Sequence, residues 1–395
     1  MILVSLFVGL VAVVLLLPTV SDLVSVVRVT LAPHPGPATG AVKQPNLLFL
    51  VPAHNEELLV ASCIQSLAAM HYPRERFTIA VIADNCTDRT AELARGAGAL
   101  CLERADLARP GKPHAIAWAL EALPLADYAA VVIIDADCVV NSEFAASLGA
   151  VGDLHAKALQ CYNDVRNREN ALTRMAAVLS AVNHGIAYRL RTRAGVNVPL
   201  SAGMALGTTV LEAHGWRAFS IGEDWEMYAL LTAEGVSIQS VPGARLYAEE
   251  ASSLKQSTVQ RRRWAAGKAT VLRRYGRRLV TSRRIGAAQK LDVLAELLAS
   301  GPAVHAGIVV LSVAITWALA LPGTTLLTTL LLASLARPAT YTLLAIAQDP
   351  QPVRALLAFA AFPLYIVWRL GVQATAIRLF GDAPWIRTNR NPSVG

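Results

Sequence analysis

Asp135 and Asp137 stand one residue apart at the end of the apolar run YAAVVIIDAD, residues 128–137. Two carboxylates so spaced at a strand tip can converge on one divalent cation, and hard oxygen ligands suit Mg²⁺ or Mn²⁺. Such an ion bridges a diphosphate and neutralises the charge that grows as a nucleoside diphosphate departs. The plain alternative is a pair of solvated acids in a turn. Asp84 closes a second apolar run, FTIAVIAD, residues 77–84. An acid there can accept hydrogen bonds from a base or a ribose, while Asn85, Thr87 and Asp88 equally suit a turn or a helix cap. Lys112 follows Pro110-Gly111 and precedes a helical stretch; it can meet a phosphate or remain a loop charge. Glu223 and Asp224, in GEDWEMY at 222–228, complement a helix dipole as first-turn acids. They can also supply a base that takes the proton of an acceptor hydroxyl. Gln260-Arg261-Arg262-Arg263-Trp264 reads as a basic membrane-surface patch. It also reads as a diphosphate fork with an apolar ring face for a sugar.

These residues need a scaffold that brings strand ends together. From Asn46 to about Tyr247, short apolar runs alternate with helical stretches that begin near Glu56 and Asp88. Such alternation predicts an α/β domain with a parallel sheet and helices on both faces. Ligands in such sheets bind beyond the carboxyl ends of the strands. The polar clusters sit at those ends: His54-Asn55-Glu56-Glu57 after NLLFLVPA, then Asp84-Asn85, then Asp135-Ala136-Asp137. No GxGxxG follows the first run, which argues against a nicotinamide or flavin site.

The chain ends are a different solvent's sequence. Residues 1–27 open with MILVSLFVGLVAVVLLLPTV, long enough to cross hydrocarbon as a helix. No positive n-region and no small-residue cleavage site mark it as a signal peptide, so it reads as an anchor. Residues 28–45 read as a Pro/Gly-rich linker and 46–275 as the catalytic domain. The first basic residue, Arg28, follows the span, which puts the domain on the cytoplasmic side of a cell membrane. Residues 276–302 include the amphipathic KLDVLAELLAS, lying flat at the interface or entering as a half-span ending at Gly301-Pro302. Residues 303–378 hold about three spans and 379–395 a basic tail. Charge puts that tail in the cytoplasm, yet one span before the domain and three after it would put it outside. Either residues 290–302 enter the membrane or one of the three spans is interfacial.

Composition closes off other classes. The chain is 54% apolar and 16% charged, with a net charge of +8. A basic balance is compatible with nucleic acid, but strand-end carboxylates without metal would repel phosphate. A pure transporter would carry its acids inside the spans, whereas here they cluster in the middle. The five cysteines show no CxxC spacing and read as reduced thiols.

Taken in order, Asp84, Asp135-x-Asp137, Glu223-Asp224 and Gln260-x-x-Arg263-Trp264 resemble the motifs of the membrane-bound family 2 glycosyltransferases. These include cellulose, hyaluronan, chitin and poly-N-acetylglucosamine synthases and ceramide glucosyltransferase. VPAHNEE, residues 51–57, is similar to the family's first-strand motif. The resemblance implies a GT-A, Rossmann-like mixed sheet flanked by transmembrane helices. It implies inverting transfer from a UDP-sugar with Mg²⁺ or Mn²⁺. By motif match Asp224 is the catalytic base. Glu56, Asp84, Lys112, Asp135 and Asp137 fall on the donor, with Asp137 and Asp135 on the metal. Gln260, Arg261, Arg263 and Trp264 shape the diphosphate and acceptor site. Gly203, in SAGMALG at 201–207, and Glu223 fall near the acceptor. Trp385, Thr388 and Arg390 are similar to a Trp/Thr/Arg segment that closes over the nucleotide; a basic interfacial anchor is the alternative. The expected product is a growing exopolysaccharide or oligosaccharide, and the alternative is a single sugar on a membrane lipid. About four spans are thin for a sealed polymer pore, so a homo-oligomer or an export partner is the accompanying expectation.

Overall fold

The structure is a computed structural model that describes residues 1–32 and 44–376. Trp385, Thr388 and Arg390 lie outside the described residues. Eight strands form one sheet: β1 Leu47–Ala53, β2 Phe77–Asp84, β3 Leu100–Arg104, β4 Ala130–Ile133, β5 Cys138–Val140, β6 Ala158–Val165, β7 Met204–Gly207 and β8 Ile238–Ala248. Their order is β3-β2-β1-β4-β7-β6-β8-β5. The first four strands are parallel neighbours. β7 then runs antiparallel to both β4 and β6, and β5 antiparallel to β8, so the sheet is mixed rather than wholly parallel.

β1 shows why its sequence is almost unbroken in apolar residues. Leu47, Phe49 and Val51 face one core with the helix Val60–Ala68, while Leu48 and Leu50 face a second with the helix Lys112–Ala122. Alternate side chains leave opposite faces of a strand, so a strand covered on both sides needs apolar residues at every position. The acids expected at strand tips sit just past them. Asp135 and Asp137 occupy the turn from β4 to β5.

Several boundaries move. The helices predicted from Glu56 and Asp88 begin at Val60 and Thr90. The first helix runs on to Leu31, so residues 28–31 of the expected linker are helical. The helix Leu254–Thr281 crosses the boundary drawn at 275. Ala287–Leu298 buries Asp292, Val293 and Ala295, and it meets the next helix, Pro302–Ala318, at 79°.

The helix Ile2–Leu31 has 30 residues and so is about 45 Å long, more than the ~30 Å hydrocarbon thickness. Its two parts meet different partners. Val8, Ala12 and Leu15 pack against Val309, Leu327 and Leu331. Further along, Ser21 Oγ donates to Asp292 Oδ1 at 2.8 Å and Arg28 Nε donates to the Ala194 carbonyl at 2.7 Å. Among the described residues three helices are long and apolar enough to cross a membrane: Ile2–Leu31, Thr324–Ala347 and Pro352–Ala376. The bent pair Ala287–Leu298 and Pro302–Ala318 makes a fourth if counted as one span.

Candidate active site

One cavity of about 1460 Å³ opens at the carboxyl ends of the parallel strands. Glu56, Asp84, Lys112, Asp135, Asp137, Glu223, Asp224, Gln260, Arg261, Arg263 and Trp264 all line it. Residues separated by more than 200 positions in the chain therefore share one space. Gly203 does not. It lies between β6 and β7 with φ +76°, and a Cβ there would meet Leu246 Cδ2 at 2.1 Å. Only a glycine fits that backbone and that gap. Its neighbours Ser201 and Ala202 are the ones that reach the cavity.

Lys112 holds the centre. Gly111, at φ 102°, turns the chain into the helix Lys112–Ala122. The lysine Nζ then sits 2.7 Å from Asp135 Oδ1 and 3.1 Å from Glu223 Oε1. Burial opposes its charge, but Asp135, Glu223 and Asp224 outweigh that and hold its pKa above the ordinary value. Lys112 thus links the acid turn after β4 to the start of the helix Glu223–Ala233.

Asp224 is the perturbed acid. Burial pushes its carboxyl up to about 7, Glu223 adds to the rise, and Lys112 pulls the other way. Its Oδ1 accepts from the Trp225 N–H at 2.8 Å. A carboxylate that titrates near neutrality is matched to general-base work. Glu226, two residues on, has a structural task. It accepts from the Phe219 and Ser220 N–H groups at 2.9 and 2.7 Å, from Tyr275 Oη at 2.6 Å and from Arg274 Nη1 at 3.2 Å. Those bonds fix the helix start against the helix Leu254–Thr281. The two backbones also touch at glycines, since a Cβ on Gly222 would meet Gly267 Cα at 3.1 Å.

Asp84 is more constrained than a free recognition group. Its Oδ1 accepts from Arg104 Nη1 at 2.6 Å and from Asn85 Nδ2 at 3.1 Å, and its Oδ2 accepts from the Gly111 N–H at 3.2 Å. Arg104 also donates to Asp106 Oδ2 and to the Arg109 carbonyl, each at 2.8 Å. Arg104 was not singled out from sequence. The signal was register: β2 and β3 pair Asp84 with Arg104, two opposite charges ending adjacent parallel strands.

The helix Leu254–Thr281 presents Gln260, Trp264 and Lys268 to the cavity at intervals of four, as one helix face must. Arg261 donates to Glu250 Oε1 at 2.8 Å and lies 4.9 Å over the Trp264 ring. Trp264 keeps 41% of its surface exposed, a ring face open for a ligand. Gln260 Oε1 is buried without a hydrogen-bond partner among the described residues.

Asp135 and Asp137 supply two hard carboxylates from one turn. Among the described residues no group of three or more His, Cys, Asp or Glu converges on a metal position. Two carboxylates completed by diphosphate oxygens and waters is how Mg²⁺ is commonly held, so this donor set fits a substrate-bridged Mg²⁺ or Mn²⁺. The cavity also takes in groups absent from the sequence reasoning. Asn183 and His184 come from a wide helical turn, Ala181–Ala187, a feature frequent at functional sites. Burial lowers the His184 pKa to about 3, so its ring is neutral at working pH. On the far side the lining includes Gly301, Pro302, His305, Arg337 and Arg369.

Residues 45–267 match the family described as glycosyltransferase-like family 2. Over 248 residues the chain is 23% identical to a probable glycosyltransferase, YdaM, of Bacillus subtilis, covering 58% of this chain and 57% of the relative. Over 104 residues it is 35% identical to a beta-monoglucosyldiacylglycerol synthase of a Nostoc species, covering 25% of this chain and 22% of the relative. The matched segments thus span just over half of the first relative and about a fifth of the second. Among solved structures, a mannosyltransferase from Pyrobaculum calidifontis in complex with GDP-mannose and Mn²⁺ superposes with a TM-score of 0.52 at 20% identity. That match covers 94% of this chain and 96% of the other. At that identity the likeness is one of fold.

Proposed function

This chain belongs to glycosyltransferase-like family 2, and we propose that it transfers one sugar from a UDP-sugar to a membrane lipid by a single inverting displacement. One observation carries the acceptor half of this reading. The cavity that holds Asp224 is continuous with a wall built from the membrane-side helices, at Gly301, Pro302, His305 and Arg369. A lipid headgroup entering from the bilayer meets the base without leaving the membrane surface. The similarity of a 104-residue segment to a beta-monoglucosyldiacylglycerol synthase supports the same direction. By the positive-inside argument the transfer takes place at the cytoplasmic face.

In this mechanism Asp224 takes the proton of the acceptor hydroxyl, which attacks the anomeric carbon as the bond to the diphosphate breaks. Its raised pKa lets it hold that proton near neutral pH. Lys112 and Arg263 face the leaving diphosphate and favour its charge. Asp84 takes the nucleoside end with a geometry fixed by Arg104. Trp264 offers its exposed ring to the sugar. A Mg²⁺ or Mn²⁺ held by Asp137 and Asp135 would add charge neutralisation at the diphosphate. The test incubates purified protein with each UDP-sugar, Mg²⁺ or Mn²⁺, and membrane lipid. Nucleotide release with label in the organic phase is the expected result. A high-mass, glycosidase-sensitive product would instead establish polymer synthesis, and no release with any UDP-sugar would overturn the donor assignment.

A further inference from the structure

The segment Pro352–Ala376 is 25 residues long and apolar, about 37 Å at 1.5 Å per residue, which is enough to cross a bilayer. Its contacts describe another course. Just before it, Asp349 Oδ2 pairs with Arg168 of the catalytic domain at 3.4 Å. Ala355 packs with Val178 and Val182, and Ala358 and Tyr365 pack with Met175. Trp368 Nε1 then donates to Thr258 Oγ1 at 3.1 Å. A helix perpendicular to the membrane would leave the domain within a few turns. This one touches the domain from Ala355 to Trp368, while Ile366 and Leu370 lie against Gly307 of the helix Pro302–Ala318. Val353, Leu356, Leu357, Leu364 and Val367 point outward, each more than half exposed, as a face immersed in lipid requires. Domain contacts on one face and lipid-suited side chains on the other are the arrangement of a helix lying in the membrane plane at headgroup depth. Counted that way, with the bent pair Ala287–Leu298 and Pro302–Ala318 as one span, one span precedes the domain and two follow it.

On the inner side of this helix, Arg369 and Gln373 stand one turn apart and both line the catalytic cavity. Arg369 makes no ion pair or hydrogen bond among the described residues, and its Nη1 is buried. The acid on that wall, Glu250, is already taken by Arg261 at 2.8 Å. A guanidinium with one nitrogen buried and without an acceptor is costly, and an ionised oxygen pair is the ligand that its planar fork fits. At headgroup depth, such a ligand is a lipid phosphate.

We propose that Arg369, assisted by Gln373, binds the phosphate of an anionic lipid headgroup and thereby selects a phosphate-bearing lipid, rather than neutral diacylglycerol, as acceptor. This rests on the lipid-acceptor reading above. The sugar's anomeric carbon bonds to a headgroup oxygen as its bond to the diphosphate breaks. The nucleoside diphosphate leaves with the electron pair, and where that oxygen belongs to a hydroxyl, its proton goes to Asp224.

The experiment uses the full chain in phosphatidylcholine vesicles with the donor that it turns over. Each vesicle set carries dioleoylglycerol, dioleoylphosphatidic acid or dioleoylphosphatidylglycerol, and label in the organic phase is followed. At least one anionic lipid is expected to be glycosylated about tenfold faster than dioleoylglycerol, the worth of one charge-assisted pair. A gain with phosphatidic acid alone identifies a phosphate oxygen as nucleophile. A gain with phosphatidylglycerol identifies a headgroup hydroxyl. Arg369→Gln should bring the anionic-to-neutral ratio to within about twofold of one, and Arg369→Lys should retain part of it. Equal or faster transfer to dioleoylglycerol by the unaltered protein, or an undiminished ratio in Arg369→Gln, overturns the inference while leaving lipid transfer standing. Donor consumption without organic-phase label from any of the three lipids removes the lipid-acceptor reading, and this inference with it. If Arg369→Gln does not fold, the comparison of lipids on the unaltered protein still decides.

Discussion

The base assignment can be tested through its electrostatics without deleting the base. Asp224 titrates at about 7 against an ordinary 3.8, because it is buried and because Glu223 raises it further. Only the deprotonated form accepts a proton, so activity must fall on the acid side. At pH 6 about one-tenth of the enzyme is in the active form, and kcat/KM should drop about tenfold per unit below that. Glu223→Gln removes one like charge next to Asp224. Two unit charges ~10 Å apart at an effective dielectric of ~20 interact by about 1.7 kcal/mol, a little over one pKa unit. Adjacent residues lie within that distance. Some of the gain is returned because Lys112 loses the Glu223 contact at 3.1 Å, so the acid limb should move down by about one unit. Rate at pH 8 can also fall in this variant, but the position of the limb is independent of its height. The assay is kcat/KM for donor turnover from pH 5 to 9 at constant ionic strength. An acid limb that stays in place or moves up in Glu223→Gln would refute the claim that Asp224 carries the titration.

Three further outcomes follow from the same geometry. Asp224→Asn keeps the shape and loses the base, so transfer should fall by about 10²–10⁴-fold while donor affinity measured by calorimetry stays near the original. Asp137→Ala should lose the metal-dependent part of donor binding, read as donor affinity with and without Mn²⁺; retention of that difference would remove Asp137 from the metal. Arg104→Met leaves Asp84, which is 4% exposed, without its guanidinium, and breaking such a buried pair costs about 3–5 kcal/mol. Thermal unfolding of the purified chain should register that as a large drop in Tm, and an unchanged Tm would mean that Asp84 is held by its other partners.

The parallel half of the sheet was legible because local chemistry dictates it. β1 and β4 are apolar at every position, and β2 at all but Thr78 and its terminal Asp84, since both faces are covered, and the acids at their ends have nowhere else to go but the strand tips. β7 was not legible as antiparallel. Its four residues, Met204–Gly207, are too short to carry a direction in their pattern, and the direction comes from pairing with β4 and β6. Gly203 was read through a neighbouring motif. Its glycine is required by backbone geometry and by Leu246, reasons that need no ligand. Lys112 was balanced between loop charge and ligand in the sequence, because the acids that hold it, Asp135 and Glu223, lie 23 and 111 positions away. Arg369 was visible only as a polar blemish in a candidate span, since its meaning depends on which way the helix runs.

The buried charges behind the cavity explain how the apolar helices and the α/β domain can form one wall. Arg191, with its side chain 2% exposed, donates to Asp292 Oδ1 at 3.1 Å and to Glu296 Oε2 at 2.6 Å. Ser21 of the first helix shares Asp292 Oδ1, and Lys268 lies 3.6 Å from Glu296. Nearby, Asp22 of the same helix accepts from Arg337 Nε at 2.6 Å. These contacts join the helices Ile2–Leu31, Tyr188–Ala194, Leu254–Thr281, Ala287–Leu298 and Ala336–Ala347. Apolar packing alone would allow such helices to slide against one another, whereas a buried charge has one position at which it is satisfied. The 79° break between Leu298 and Pro302 is held on its domain side by Asp292 and Glu296. Its residues Ala299 to Pro302 line the cavity. Lys268 Nζ also donates to the Ala299 carbonyl at 2.7 Å, so the helix that carries Gln260 and Trp264 is bonded to the break itself. The position of the apolar helices relative to Asp224 is therefore set by ion pairs, which is what the proposed transfer to a lipid headgroup would require.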